Sequence, residues 1–168
     1  MKILKIIILQ TFWYLSIKFG QTVIFPLLGG LIFMTDFFVF KKENNLKKSY
    51  LIFSLTLVVS GILMDKGFEF LKILTWGNQF YPFELLGVWI IFPCYYYQFF
   101  KKFSSPWFLS FLAGAIFGPI AYLSGGSINS NLILGSNLLN LCLLSFSWGL
   151  FFGLSNMFFK KFCYLEEE

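Results

Sequence analysis

The chain contains no histidine and no arginine, and it has few charged residues of any kind. Its 168 residues are 58% hydrophobic and only 12% charged, whereas a soluble domain carries about 25% charged residues. The absence of histidine excludes Ser-His-Asp and Cys-His catalysis and histidine-ligated zinc or haem. The absence of arginine removes the bidentate fork that recognises phosphate best. The composition therefore predicts a polytopic membrane protein, with a soluble protein of unusually apolar core as the remote alternative.

Cysteine is also scarce, and its spacing forms no metal-binding or redox motif. Cys94, Cys142 and Cys163 contain no CxxC pair, and the first two lie inside apolar runs. A thiol in such a run usually packs as a small hydrophobic side chain, with a disulfide or a nucleophile as the alternatives. The sequence therefore predicts no metal and no cofactor.

The apolar runs predict an all-α fold, a compact bundle of six transmembrane helices that forms a single domain over residues 1–168. The predicted helices cover residues 3–19, 22–40, 49–64, 82–100, 107–123 and 131–159. Residues 68–76 are apolar but too short to span a bilayer, and they suit an interfacial or re-entrant segment. A five-helix alternative would place the termini on opposite sides of the membrane.

The positive charge comes from 13 lysines that separate the apolar runs. Because they do not form one patch, they indicate membrane topology and not a nucleic-acid partner. With the N-terminus inside, ten lysines fall on the cytoplasmic side: Lys2, Lys5, Lys41, Lys42, Lys47, Lys48, Lys101, Lys102, Lys160 and Lys161. Three fall on the other side: Lys18, Lys66 and Lys72. The positive-inside rule then predicts a multi-pass protein with both termini in the cytoplasm.

The stretch from Gly118 to Gly126 contains a proline and three glycines near the end of the fifth predicted helix. Pro119 is expected to kink or end that helix, so that the backbone leaves helical geometry there. Such a backbone survives at membrane depth only beside protein or a water-filled cavity. We therefore expect Tyr122 to be buried, within reach of polar groups from helix one, three or six.

The predicted orientation brings several polar and aromatic residues to the outer half of the bundle. They are Gln10, Trp13, Asp65, Glu84, Tyr122, Asn137 and Asn140. Ionisable groups in membrane segments usually face a cavity, so these residues predict one outward-facing pocket. The structural alternatives are helix capping by Glu84, contact of the acids with head-group water, pairing of Asp65 with Lys66 or Lys72, and asparagines that join helices. If the site is catalytic, Asp65 and Glu84 are its acid–base candidates, and Tyr122 is a hydrogen-bond donor.

Four short motifs resemble the domain-of-unknown-function family 2878. They are Gln10-x-x-Trp13, Gly61-x-x-x-Asp65, a Pro82-led fourth helix with Trp89, and Gly118-Pro-x-Ala-Tyr-x-Ser-Gly125. The resemblance covers roughly helices one to five and implies a small protein of the bacterial inner membrane with no established activity. It also implies a connection to lipid, because family members tend to sit among genes for membrane fatty-acid modification. Glu84 departs from the apolar or aromatic start of helix four that the family leads us to expect, which argues against a general catalytic role for it.

Three functions follow as hypotheses. The first is a lipid-linked accessory or binding protein, whose pocket holds membrane lipids and which serves a partner membrane protein or lipid-modifying enzyme. The second is a small-solute transporter or a substrate-capture component, because six helices in about 170 residues match the size of vitamin-capturing transporter subunits. The third is an integral-membrane lipid-modifying enzyme that acts through Asp65 and Tyr122.

Overall fold

Six helices and one two-stranded ribbon make up the part of the chain that the structure, a computed structural model, describes: residues 2–19, 22–40, 44–76, 81–100, 106–135 and 137–160. The elements are α1 (Lys2–Phe19), α2 (Ile24–Phe40), α3 (Asn44–Phe70), β1 (Leu74–Thr75), α4 (Phe83–Phe100), α5 (Trp107–Ile128), β2 (Ile133–Leu134) and α6 (Leu138–Phe159). The prediction of an all-α fold with six helices is confirmed, apart from the short ribbon.

Three helices of the described residues are long and apolar enough to cross a membrane, namely Lys47–Phe70, Trp107–Ile128 and Leu138–Phe159. The apolar stretches of α1, α2 and α4 are shorter. Large apolar side chains are exposed on several helices, among them Leu27, Leu31, Leu63, Phe117 and Leu154. Apolar surface of this extent is what lipid covers, so the fold supports a membrane protein. Of the predicted basic loops, residues 41–43 and 101–105 lie outside the described part of the chain.

Helix α3 is longer at both ends than the predicted helix over residues 49–64. It takes in the first residues of the predicted interfacial segment and ends in a Schellman-type turn, where the Ile73 amide donates to the Phe68 carbonyl at 2.8 Å. Lys72 adopts the left-handed conformation that this turn requires, with φ of 55°. Asp65 therefore lies inside a helix and not at its end.

Helix α5 continues without a break through Pro119 to Ile128. The prediction that the backbone leaves helical geometry between Gly118 and Gly126 is therefore wrong. A proline removes one helical N–H and crowds the carbonyl four residues earlier, which costs about 3 kcal/mol in an isolated helix. The contact between α5 and α6 is the most extensive between any two elements of the described chain. This packing offsets the free energy lost at Pro119.

The ribbon joins the segment after α3 to the segment before α6. Leu74 pairs with Leu134, and Thr75 pairs with Ile133, in an antiparallel register. Helix α6 consequently begins at Leu138, and not near residue 131 as predicted. The ribbon replaces part of the predicted interfacial segment and contacts α3 and α5.

Two stacked indoles lie at the centre of the core, Trp89 from α4 and Trp148 from α6. Their ring centroids are 5.6 Å apart and their planes are 9° from parallel. Each ring lies directly on a glycine of a neighbouring helix, Trp89 on Gly61 of α3 and Trp148 on Gly118 of α5. A Cβ at either glycine would overlap ring atoms, so these two glycines set how closely the helices approach.

We expect Gly61→Ala to lower the thermal unfolding temperature, because the rigid indole of Trp89 cannot move away from the added methyl group. Overpacking of this kind costs about 1–3 kcal/mol. Gly67→Ala on the same helix is the matched control, because a Cβ there meets nothing within 4 Å. Equal unfolding temperatures for the two variants in detergent would contradict the close approach of Trp89 to α3.

Candidate functional site

Asp65 is fully buried, and three donors surround its carboxylate. Tyr122 of α5 donates to Oδ1, while Tyr81 Oη and Trp89 Nε1 each donate to Oδ2 at 2.7 Å. Two of these donors come from α4 and the residues just before it, and the third comes from α5. A buried carboxylate without donors is very unfavourable, so the three hydrogen bonds make the burial of Asp65 tolerable. We call Asp65, Tyr81, Trp89 and Tyr122 the carboxylate cluster.

Tyr81 precedes α4 and remains a donor over the physiological pH range. Burial raises the pKa of its phenol above the usual value, and the negative charge of Asp65 raises that pKa further. The phenol therefore stays protonated and continues to donate to the carboxylate.

The expectations for Tyr122 are confirmed. Its side chain is 5% exposed, and its hydroxyl contacts a polar group of α3, one of the three helices anticipated. Its ring also lies against Trp148, with centroids 5.9 Å apart. Tyr122 thus links the carboxylate cluster to the stacked indoles.

An apolar groove of about 390 Å³ lies on the other side of Tyr122, between α1, α4, α5 and α6. Ligand-binding pockets commonly have volumes of about 300–1,000 Å³. Residues from all four helices line the groove, among them Gln10, Trp13, Trp89, Phe92, Phe117, Ala121, Tyr122 and Phe152. Gln10 and Phe117 are exposed and lie within helices, away from their ends, so the groove opens on the side of the bundle.

Glu84 lies in a separate, much smaller cavity of about 10 Å³. Its backbone carbonyl accepts a hydrogen bond from Ser16 Oγ of α1 at 2.8 Å. Asn129, just after α5, donates from Nδ2 to Glu84 Oε1 and to the Ile17 carbonyl, both at 3.2 Å. Glu84 therefore joins α4 to α1 and to the end of α5, which is more than helix capping requires.

Asn137 and Asn140 lie at the start of α6. The Asn137 side chain accepts from the backbone amide of Asn140 at 2.7 Å and caps the helix. Neither residue lines the groove or the small cavity. Of the seven candidate residues, the structure thus brings Gln10, Trp13 and Tyr122 together in the groove. Asp65 lies behind Tyr122, and Glu84 lies in the neighbouring cavity.

Sequence reasoning did not assign Tyr81, Trp89, Trp148 or Asn129 to the site. A signal for the two tryptophans was present, because Gly61 and Gly118 each lie one helical turn before Asp65 and Tyr122. A glycine in that place indicates that a bulky group approaches the helix closely. No local pattern indicates Asn129, whose contacts join segments far apart in sequence.

Comparison with protein families supplies one match. The family described as "Protein of unknown function (DUF2878)" matches residues 2–154, which confirms the resemblance drawn from the four motifs. No curated protein and no solved structure matches the chain.

We expect Asp65→Asn to destabilise the protein by about 2 kcal/mol or more. The amide presents an N–H group to donors that all require an acceptor, so at least one buried hydrogen bond is lost. Thermal unfolding of the purified protein in detergent measures this loss.

Glu69→Gln on the same helix is the control. Glu69 pairs with Lys66 at 2.6 Å on a partly exposed surface, where an ion pair contributes little. If both substitutions have the same small effect, the carboxylate cluster does not hold the helices together.

Proposed function

We propose that this chain, which belongs to the DUF2878 family, is a lipid-binding accessory protein of the bacterial inner membrane that holds an acyl chain in the groove between α1, α4, α5 and α6. The groove of about 390 Å³ is the observation that carries the proposal. It suits a membrane lipid that the protein presents to, or withholds from, a partner membrane protein such as a lipid-modifying enzyme.

The lining of the groove favours an acyl chain over a water-soluble solute. Aromatic rings form much of its wall, including Trp13, Phe92 and Phe152, while Gln10 and Ser124 are its main uncharged polar side chains besides Tyr122. Burying apolar surface yields about 25 cal/mol per Å², whereas a polar solute would find few polar partners in exchange for its hydration. This chemistry supports lipid binding more than solute transport.

The surroundings of Asp65 support a positioning role more than catalysis. Its carboxylate already accepts three hydrogen bonds and has no exposed surface. The hydroxyl of Tyr122 is directed at Asp65 and is therefore engaged away from the groove. The enzyme hypothesis requires Asp65 and Tyr122 to act on a bound lipid. Because these two side chains are hydrogen-bonded to each other, neither directs a reacting atom at a lipid in the groove.

We place the protein across the membrane six times, with both termini in the cytoplasm. Helices α1 and α4 have 18 residues each and α2 has 17, so each is roughly 25–27 Å long. The hydrocarbon core is about 30 Å thick, a difference that flanking lysines and local thinning accommodate. The lysine distribution sets the orientation.

A reporter fusion tests this topology. We expect green fluorescent protein to fluoresce and alkaline phosphatase to be inactive when each is fused at the C-terminus, because that end is cytoplasmic. Alkaline phosphatase fused after Thr75 should be active. An active phosphatase at the C-terminus would contradict an even number of spans.

The groove itself is tested by Ala121→Trp, which adds an indole to its wall. We expect the affinity for a fluorescent fatty acid to fall at least about tenfold, because the added ring occupies the volume of the chain. Leu123→Trp is the matched control, since Leu123 is 50% exposed on the same helix and does not line the groove.

Native mass spectrometry of the wild-type protein gives a second readout that needs no variant. A bound lipid retained from the membrane is the expected result. No retained lipid, together with equal fatty-acid affinity of the two variants, would overturn the proposal.

A further inference from the structure

Two residues that line the small cavity each carry a buried polar atom that has no hydrogen-bond partner among the described residues. One is Oε2 of Glu84, and the other is the indole Nε1 of Trp76. The two residues are 5% and 4% exposed, and both line the cavity. An unsatisfied buried polar group is costly, so this pair indicates that something else fills the cavity.

Asn129 determines which oxygen of Glu84 is available. The Asn129 Oδ1 accepts from the Asn131 backbone amide at 3.0 Å, which directs Nδ2 to the Ile17 carbonyl and to Glu84 Oε1. The amide of Asn129 is thereby fixed, and Oε2 is the oxygen of Glu84 that is left without a partner among the described residues.

The two unpaired atoms define the chemistry of the occupant. Glu84 Oε2 needs a donor, while Trp76 Nε1 needs an acceptor. An ammonium group donates but cannot accept, and an ether or ester oxygen accepts but cannot donate. A hydroxyl group does both, and a cavity of about 10 Å³ has room for a group about as large as a water molecule.

The cavity adjoins the apolar groove. Ile17, Leu85 and Leu132 line both, so a molecule in the groove can reach the cavity at their shared wall. We propose that the cavity is the head-group subsite of the groove and binds the hydroxyl group of an amphiphile whose acyl chain lies in the groove. This inference rests on the proposed function and adds the chemical class of the ligand.

Competition against a groove-bound fluorescent fatty acid tests the subsite in the purified full-length protein. The probes are 1-hexadecanol, hexadecylamine and heptadecane, which have the same number of non-hydrogen atoms in one unbranched chain and differ only in the terminal group. We expect 1-hexadecanol to compete about tenfold better than either of the others, which corresponds to one buried hydrogen bond to a charged or indole group.

Two substitutions alter the preference in different ways. Trp76→Phe removes the N–H that needs an acceptor, so the advantage of 1-hexadecanol over hexadecylamine should disappear. In Glu84→Gln, Asn129 holds the amide oxygen and turns the NH₂ towards the cavity, so a donor on the ligand loses its acceptor and hexadecylamine should compete worst. Trp107→Phe and Glu69→Gln are the controls, since neither residue lines the groove or the cavity. Comparing one probe between proteins cancels its partition into detergent.

The outcomes separate this inference from the proposed function. Equal competition by all three probes in the wild-type protein would mean that water alone fills the cavity, so the subsite is wrong while the groove stands. A preference for 1-hexadecanol over hexadecylamine that persists in Trp76→Phe would also overturn the subsite, and so would hexadecylamine that competes as well in Glu84→Gln as in the wild-type protein. If no probe displaces the fatty acid, both proposals are wrong.

Discussion

The burial of one carboxylate constrains the whole bundle. Asp65 is 0% exposed inside an apolar protein, and it is stable there only because three donors converge on it. The donors Tyr81, Trp89 and Tyr122 hold α3, the start of α4 and the middle of α5 in fixed positions relative to one another. Trp89 and Tyr122 also line the groove. Two of the side chains that donate to Asp65 therefore also form part of the surface against which we place the acyl chain.

Close helix packing makes this arrangement possible. Gly61 and Gly118 each admit an indole against their helix, and the two indoles stack on one another. One turn further along, Asp65 and Tyr122 meet through a hydrogen bond. The motifs Gly61-x-x-x-Asp65 and Gly118-Pro-x-Ala-Tyr122 therefore describe the two halves of a single contact. In each motif, the glycine allows an indole to pack closely against the helix, and the polar residue takes part in the hydrogen bond between the two helices.

The groove and the small cavity together form a site that changes in polarity along its length. Aromatic and aliphatic side chains form most of the groove, whereas Glu84 and Trp76, each with a buried polar atom that has no partner among the described residues, line the cavity beside it. Ser16 and Asn129 connect Glu84 to α1 and to the end of α5. These hydrogen bonds hold the small cavity in a fixed position beside the apolar groove. An amphiphile has the same change in polarity along its length.

Composition and apolar run length determine the class of this protein, because burial in lipid demands apolar side chains and internally bonded backbone over whole segments. The six helices follow from such local patterns. The sequence predicts the burial of Tyr122 from a helix break at Pro119 that α5 does not contain, and the hydrogen bond to Asp65 of α3 accounts for the burial instead. The residues at which the helices end do not follow from local patterns. The packing of α5 on α6 carries α5 through Pro119, and a backbone turn beyond Phe70 sets the end of α3. The donors to Asp65 lie 16, 24 and 57 residues away, and Asn129 lies 45 residues from Glu84. Only the tertiary structure decides such pairings, because the residues next to Asp65 or Glu84 in sequence do not indicate which distant side chain will donate a hydrogen bond to it.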